Sequence, residues 1–576
     1  MITNPLPEAN SQEPNSPTPW LFFLGTILAF SPALIYFYSA YVYTTNIPFS
    51  DDFTSLYEVM RIIQVETLRG KIALLFAHLN EHVFVLTRAI FILVYFISGS
   101  IDLKVLVVIA NFALLGLLFI FYKALPEKQE RVFLLLPISL LLFQLKQNWV
   151  HLIWAMEALE TLYGLCFSGL TFYFLGKNSN KYFCLAFFFA LVTVITHGSG
   201  IATLVAGWVI LLLRKKLKVA SAWLIGSIII IVIYFNNMHF VARSSIVPSS
   251  LDDLTRIGKF FISFIGAMAS YDNQTALLTL GFLIVFYFLF LVYKKYYLTN
   301  PAVFGFMVYL LLVAGLVALS RSGVGENLVF SNRYKIFSLT MVMLVYISAV
   351  DLFYPKTNRK WLFLAGMILV AGSMYLVSYQ GGKEKLEFAR YTQVYRINQW
   401  LDKNYSLYDK GEGRTNRIMT EALTEGFYKV PYQLTGIPEN KYSTLVNSED
   451  LCVRESEKPF ENEFNIIVAG PESAPFLVRI EGIIYGSEPE PPAESESVYV
   501  ILRSREGIYL FTSHPHKRTR SSIHFLKERS NTGLIALIPI NRLSNNTYQI
   551  GLCYRGGVVY SNQVIIKQDH LVKVVR

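Results

Sequence analysis

Eleven apolar runs, at about 20–43, 103–122, 131–147, 152–175, 181–197, 201–213, 219–234, 276–293, 302–320, 334–353 and 361–378, alternate with short polar loops. A helix rising 1.5 Å per residue needs about 20 apolar residues to cross roughly 30 Å of hydrocarbon, so this repetition predicts a polytopic α-helical membrane protein. With 53% hydrophobic and only 16% charged residues and a mean hydropathy of +0.43, a soluble globular class is excluded. Eleven crossings put Lys123/Lys128/Arg131, Lys177/Lys181, Arg214/Lys215/Lys216/Lys218, Lys294/Lys295 and Lys356/Arg359/Lys360 on one side, as a cytoplasmic face requires. The net charge of +11 is therefore an orientation signal, and no nucleic-acid partner is expected. Residues 1–19 are polar and rich in Pro and Asn and lack a cleavable signal pattern, so they read as a cytoplasmic tail before a retained first span.

The stretch 46–102 falls outside under this count. Phe53 to Gly70 places Phe53, Leu56, Tyr57, Met60, Ile63 and Leu68 near one helical face, which predicts a single helix lying on the membrane surface. Val83 to Ser98 is short and interrupted by Arg88, so it reads as a second juxtamembrane helix, and Phe260 to Ser270 as another. Beyond Tyr379 the composition changes. A connecting region, 381–459, begins with an amphipathic helix at 383–410 and gives way at 460–576 to short alternating runs. These lie at Phe476–Ile484, Ser497–Leu502, Ile508–Thr512, Gly533–Ile538, Thr547–Tyr554 and Val558–Ile566. They predict a C-terminal β-sandwich, with Ser487–Ser497 as an exposed loop, and parity places it outside. Cys166 and Cys184 sit in apolar spans, whereas Cys452 and Cys553 belong to the tail, where an oxidising compartment would let them pair.

The candidate chemistry collects on the expected outer side. Asp51 and Asp52 follow the first span and open the surface helix, whose N-terminal dipole should hold them ionised and fixed. One can act as general base on a hydroxyl while its neighbour orients the acceptor or a divalent cation, Mg2+ or Mn2+. His78-x-x-Glu81-His82 matches an inverted zinc-peptidase pattern, with Glu157 and Glu160 as further conceivable ligands, but it runs directly into a membrane-bordering apolar segment. On a helix His78, Glu81, His82 and Arg88 would share a face and line a substrate cleft without metal. Glu81 is the second candidate for the base. Arg321, Arg333 and Tyr334 flank a loop containing Gly323 and Gly325, a pattern suited to phosphate capture as well as to snorkelling at a membrane edge. His239 and Arg243 are of the same kind. Trp149, His151, Trp154 and Glu157 cap another span, where indoles form interfacial belts or stack on sugar rings. His197-Gly198-Ser199-Gly200 makes a tight turn that offers His197 to the cleft.

This layout, with the Asp51-Asp52 pair, the Asn80-Glu81-His82 run, the Gly198/Gly200 turn and Ser331-Asn332-Arg333-Tyr334, resembles the GT-C superfamily of membrane glycosyltransferases. It is most similar to bacterial members that decorate O-antigen or other surface glycans. The resemblance covers roughly residues 20–380. It implies inverting transfer of a sugar from a polyprenyl-phosphate donor to a glycan or lipid-linked acceptor on the extracytoplasmic face of the plasma membrane. Asp51, Asp52 or Glu81 would be catalytic, and Arg88, Arg243, Arg321, Arg333 and Tyr334 would face the donor phosphate. The cleft would be lined by His78, His82, His151, Trp154, Glu157, His197 and His239. Where such proteins often show Asn-Glu-His-Arg, this chain has Val83, so Arg88 would have to serve one or two turns later. The tail resembles carbohydrate-binding or immunoglobulin-like modules. Rival readings are a lipid-linked glycan polymerase or ligase, a flippase or transporter, for which repeated halves and mid-membrane charges would be expected, and a non-catalytic glycan-binding protein.

Overall fold

A computed structural model of the chain describes residues 19–575 except 80–81, 128–129, 178, 237–249, 270–273, 324–330, 356–358, 404–412, 432–453, 456–463, 470–476, 485–498, 518–531, 541–542, 555–556 and 569–570. Two compact units emerge: residues up to Leu386 with Glu421–Lys429, and Glu387–Thr420 with Val430–Arg576.

The first unit opens with α1 (Pro19–Tyr43), α2 (Asp52–Gln64) and α3 (Leu68–Leu75), then a hairpin of β1 (His78–Leu79) and β2 (His82–Val83), α4 (Val85–Ser98) and α5 (Leu103–Ala124). Next come α6 (Arg131–Leu142), α7 (Leu145–Asn148) with a 3-10 turn Trp149–Leu152, α8 (Ala155–Leu175), α9 (Asn180–Thr196), α10 (Gly200–Leu213) and α11 (Leu217–Phe235). They are followed by α12 (Leu251–Ile265), α13 (Gln274–Tyr293), the single turn α14 (Tyr296–Thr299), α15 (Pro301–Arg321), α16 (Asn332–Phe353) and α17 (Arg359–Lys403), which runs on into the second unit. Among the described residues eight helices are long and apolar enough to cross a membrane, and nine if α6 with α7 and its 3-10 turn, bent by 51°, is counted as one span. This is a multi-pass membrane protein. The runs at 181–197 and 201–213 form α9 and α10, of 17 and 14 residues, and α4 has 14.

Local chemistry sets the helix ends. Asp102 accepts the Lys104 and Val105 amides to start α5, Ser250 accepts the Asp253 amide to start α12, and Asn300 accepts the Val303 amide ahead of Pro301. Packing inside the bilayer relies on close fit, because lipid tails are as apolar as the side chains. Gly266 and Gly281 let α12 and α13 approach so closely that a Cβ would stand 1.9 Å from the Leu277 carbonyl and 2.1 Å from that of Ile262.

Three sequence expectations are corrected. The surface helix predicted over Phe53–Gly70 is two helices: the backbone turns extended at Val65, and Thr67 restarts it by accepting the Gly70 amide. His78–Leu79 and His82–Val83 are antiparallel strands rather than parts of a helix, pairing His78 with Val83 and Leu79 with His82. The amphipathic helix expected at 383–410 is the continuation of the last span, since nothing between 378 and 403 breaks α17.

The second unit contains α18 (Arg414–Thr424), shared at its C-terminal end with the first, and two sheets. Its strands are β3 (Arg454–Glu455), β4 (Asn465–Ala469), β5 (Leu477–Ile484), β6 (Tyr499–Arg503), β7 (Ile508–Thr512), β8 (His514–Lys517), β9 (Thr532–Pro539), β10 (Asn546–Tyr554), β11 (Gly557–Gln568) and β12 (Leu571–Val575). One sheet runs β12-β11-β10-β6-β7, with β3 parallel to β11, and the other runs β4-β5-β9-β8. Val478, Ile480, Leu534, Ala536 and Ile538 from one sheet and Val500, Leu502, Phe511, Tyr548, Ile550 and Leu552 from the other form a single apolar core. All six predicted strands are present; β3, β4, β8 and β12 lie in runs whose alternation is too short to stand out. Cys553 is disulfide-bonded, and Cys452 lies outside the described residues.

Candidate functional site

The helical unit has two ends of different character. At one, Asn300 donates to the Ala124 carbonyl, Arg214 to that of Leu175, and Lys360 pairs with Glu130, which draws the basic loops together. At the other, the loop after α1 closes over the start of α8. Thr44 donates to the Leu152 carbonyl and Asn46 accepts the Leu103 amide, while Tyr428 and the Ile101 amide, the latter donating to the Phe427 carbonyl, bind 421–429 against the same loop.

Asp51 and Asp52 sit in this closure but in opposite environments. Ser50 adopts a left-handed backbone, φ 52°, and turns the chain so that Asp51 is exposed and Asp52 is only 1% exposed. The Asp52 carboxylate accepts the Phe49 amide at 3.1 Å, the Met156 amide at 2.8 Å and the Ala155 amide at 3.4 Å. Burial outweighs these hydrogen bonds and pushes the carboxyl up to about 7, with Asp51 adding to the effect. The sequence-based expectation that the helix dipole keeps both aspartates ionised is thereby corrected for Asp52, because desolvation is the larger effect.

One turn into α8, Glu157 and Glu160 are both buried and share a face. Thr161 donates to Glu157 at 3.0 Å, and Arg333, at the start of α16, lies within electrostatic reach of both glutamates, as does Asp51. Arg333 donates to the Tyr334 hydroxyl at 3.0 Å and lies over that ring at 4.8 Å, and Phe264 packs on Tyr334 from α12. The site thus brings two glutamates of α8 within reach of one guanidinium, with Asp51 of the first loop near the same glutamates.

A histidine group adjoins Arg333. His82 and His197 stack with centroids 6.1 Å apart and planes at 11°. Gly198 makes this contact, since a Cβ there would lie 2.2 Å from His82 Nδ1. His197 Nδ1 bonds Ser199 Oγ at 2.6 Å, and Ser199 Oγ bonds the Tyr309 hydroxyl at 3.0 Å. Burial, with His82 and Arg333 nearby, pushes His197 down to about 3, so this ring is neutral at physiological pH.

Other candidates have structural employment. Arg88 is buried, pairs with Glu58 at 3.6 Å and donates to the Leu75 and Ala77 carbonyls at 2.9 and 2.6 Å, so it ties α3 and the hairpin to α4. That leaves the phosphate role expected for it without an available guanidinium. His78 Nε2 bonds the Tyr234 carbonyl at 2.9 Å, fastening the hairpin to the end of α11. His151 is fully buried and its carbonyl accepts Asn111, which also accepts the Tyr36 hydroxyl. Trp154 meets Phe49 edge-on at 5.8 Å. Arg321 ends α15, and among the described residues no hydrogen bond or ion pair joins it to this group. Glu81, His239 and Arg243 lie outside the described residues. Among the described residues no group of three or more His, Cys, Asp or Glu is placed to hold a metal ion, so no ligand set for a divalent cation or zinc is found there.

Sequence reasoning gave no role in a metal-free site to Glu160, although two acids one turn apart in an apolar helix were a visible signal. Ser199 and Tyr309 carried no signal, since a tyrosine inside an apolar span is ordinary. The chain matches no protein-family model, no curated protein and no solved structure.

Proposed function

We propose that the chain is an inverting membrane glycosyltransferase of the GT-C type. It moves a sugar from a polyprenyl-phosphate donor to a glycan or lipid-linked acceptor. The observation that carries this reading is the exposed Asp51 beside the buried Glu157 and Glu160 and the half-buried Arg333 at one end of a membrane bundle. An exposed carboxylate can take the proton of an acceptor hydroxyl as the new bond forms at the anomeric carbon and the bond to the phosphate oxygen breaks. Arg333, oriented by Tyr334, faces the charge that develops on the departing polyprenyl phosphate. A donor whose tail stays in the bilayer delivers its phosphate to this depth.

Counting the bent pair and the two shorter helices α9 and α10 with the eight long ones gives eleven crossings. With the positive-inside rule, that count supports reading the acid-bearing end and the C-terminal unit, taken as a β-sandwich, as extracytoplasmic, on a bacterial inner membrane. The test is transfer from a panel of polyprenyl-phosphate sugars by the wild type and by Asp51→Asn. Loss of turnover by about 100-fold or more in a folded variant is expected for a missing general base. No transfer by the wild type from any donor would instead favour a ligase, polymerase or flippase.

A further inference from the structure

Two adjacent aspartates look interchangeable in sequence, yet Asp51 is exposed and Asp52 is buried. Asp52 spends both carboxylate oxygens on backbone amides, one on its own side of the Ser50 turn and two at the start of α8. The amides of Ala155 and Met156 belong to the first turn of α8, where the helix itself offers no acceptor, and Trp154, the residue before them, supplies no side-chain cap. Asp52 is therefore the N-cap of α8, delivered from a segment 103 residues away. The same bonds brace the left-handed Ser50, a conformation that non-glycine residues seldom hold without such support.

We propose that Asp52 is a positioning residue: by capping α8 from the first loop it fixes Asp51 relative to Glu157, Glu160 and Arg333, and it takes no part in proton transfer. The inference rests on the transferase reading for its kinetic consequence and on geometry alone for the clamp. A misplacement of about 1 Å at a reacting group can cost roughly 100-fold in turnover, which is the scale on which the clamp acts. Asparagine at position 52 keeps one oxygen, and so either the Met156 bond or the Phe49 and Ala155 bonds, whereas alanine keeps none.

The experiment compares wild type, Asp52→Asn, Asp52→Ala and Asp51→Asn, full length in lipid nanodiscs, by amide hydrogen exchange over 153–158 and by kcat and KM for transfer. In Asp52→Ala the Ala155 and Met156 amides should exchange roughly tenfold faster or more, as for loss of their buried acceptor. Its kcat should fall by about 100-fold with donor KM little changed, and Asp52→Asn should lie between it and the wild type in both respects. Asp51→Asn should lose turnover with exchange unchanged. Unchanged exchange in Asp52→Ala overturns the clamp. Equal inactivity of Asp52→Asn and Asp52→Ala with intact exchange in Asp52→Asn would make Asp52 the base. Absence of transfer by the wild type sinks the transferase reading, and the exchange measurement still decides the clamp.

Discussion

The two ends of the helical unit handle charge in opposite ways. At the basic end the cations lie over aromatic rings at the bundle's edge: Arg131 over Tyr122 at 4.4 Å, Lys177 over Tyr173 at 5.0 Å, Lys360 over Trp361 at 5.6 Å. At the acid-bearing end Asp52, Glu157 and Glu160 are folded inside, facing amides or a guanidinium. Charge left near solvent orients a membrane protein cheaply, whereas charge withdrawn from water must be held by specific partners. Such an outlay is a mark of function more than of folding.

The largest expected break of this comparison is Arg333→Ala. Removing the cation within electrostatic reach of two buried glutamates, together with its hydrogen bond to Tyr334, should cost roughly 3 kcal/mol in thermal unfolding, with part recovered by Glu157→Gln in the same chain. A loss no greater than that of Glu127→Ala would erase the distinction between the ends. Next is Gly198→Ala, whose Cβ meets the His82 ring and should cost about 1–3 kcal/mol. Gly366→Ala, with nothing within 4 Å of the new carbon, should be neutral or stabilising by up to about 1 kcal/mol. Equal melting shifts for the two would refute the close contact.

The pH dependence sharpens the comparison further. Asp52 titrates near 3.8 when unfolded and about 7 when folded, so its contribution to stability is present below 3.8 and is lost as pH rises through 7. His197 titrates near 6.5 unfolded and about 3 folded, so its contribution is present above 6.5 and is lost as pH falls towards 3. Between 3.8 and 6.5 the two slopes, each at most about 1.4 kcal/mol per pH unit, oppose one another. Asp52→Asn should therefore make stability rise with pH across that window relative to wild type, and His197→Gln should make it fall. Parallel profiles would show that neither group is buried as described. The smallest effect expected is that of Glu127→Ala, below about 1 kcal/mol, because its ion pair with Arg131 is 4.0 Å long and the Glu127 side chain is 93% exposed.

The spans were legible because their signal is additive and local: about 20 apolar residues in a row satisfy their own backbone and need no partner to be recognised. The loop of 46–102 was less so. Its amphipathic pattern was real, but the break at Val65 is marked only by a local Thr67 cap, and the paired strands at His78–Leu79 and His82–Val83 are held by Arg88 and by the Tyr234 carbonyl, 156 residues from His78. Arg88, expected at a phosphate, serves this loop instead.

By itself, then, the sequence determined a many-spanning helical membrane chain, a strand-rich tail, and the concentration of acids and histidines at one set of span ends, since hydropathy, period and charge are properties of neighbouring residues. Only the tertiary structure decided which member of the Asp51-Asp52 pair is exposed, that Arg333 lies within electrostatic reach of Glu157 and Glu160, and that His82 stacks on His197 across Gly198. The reason is physical: exposure and electrostatic environment are set by what packs against a side chain, and here the packing partners come from helices more than 100 residues apart.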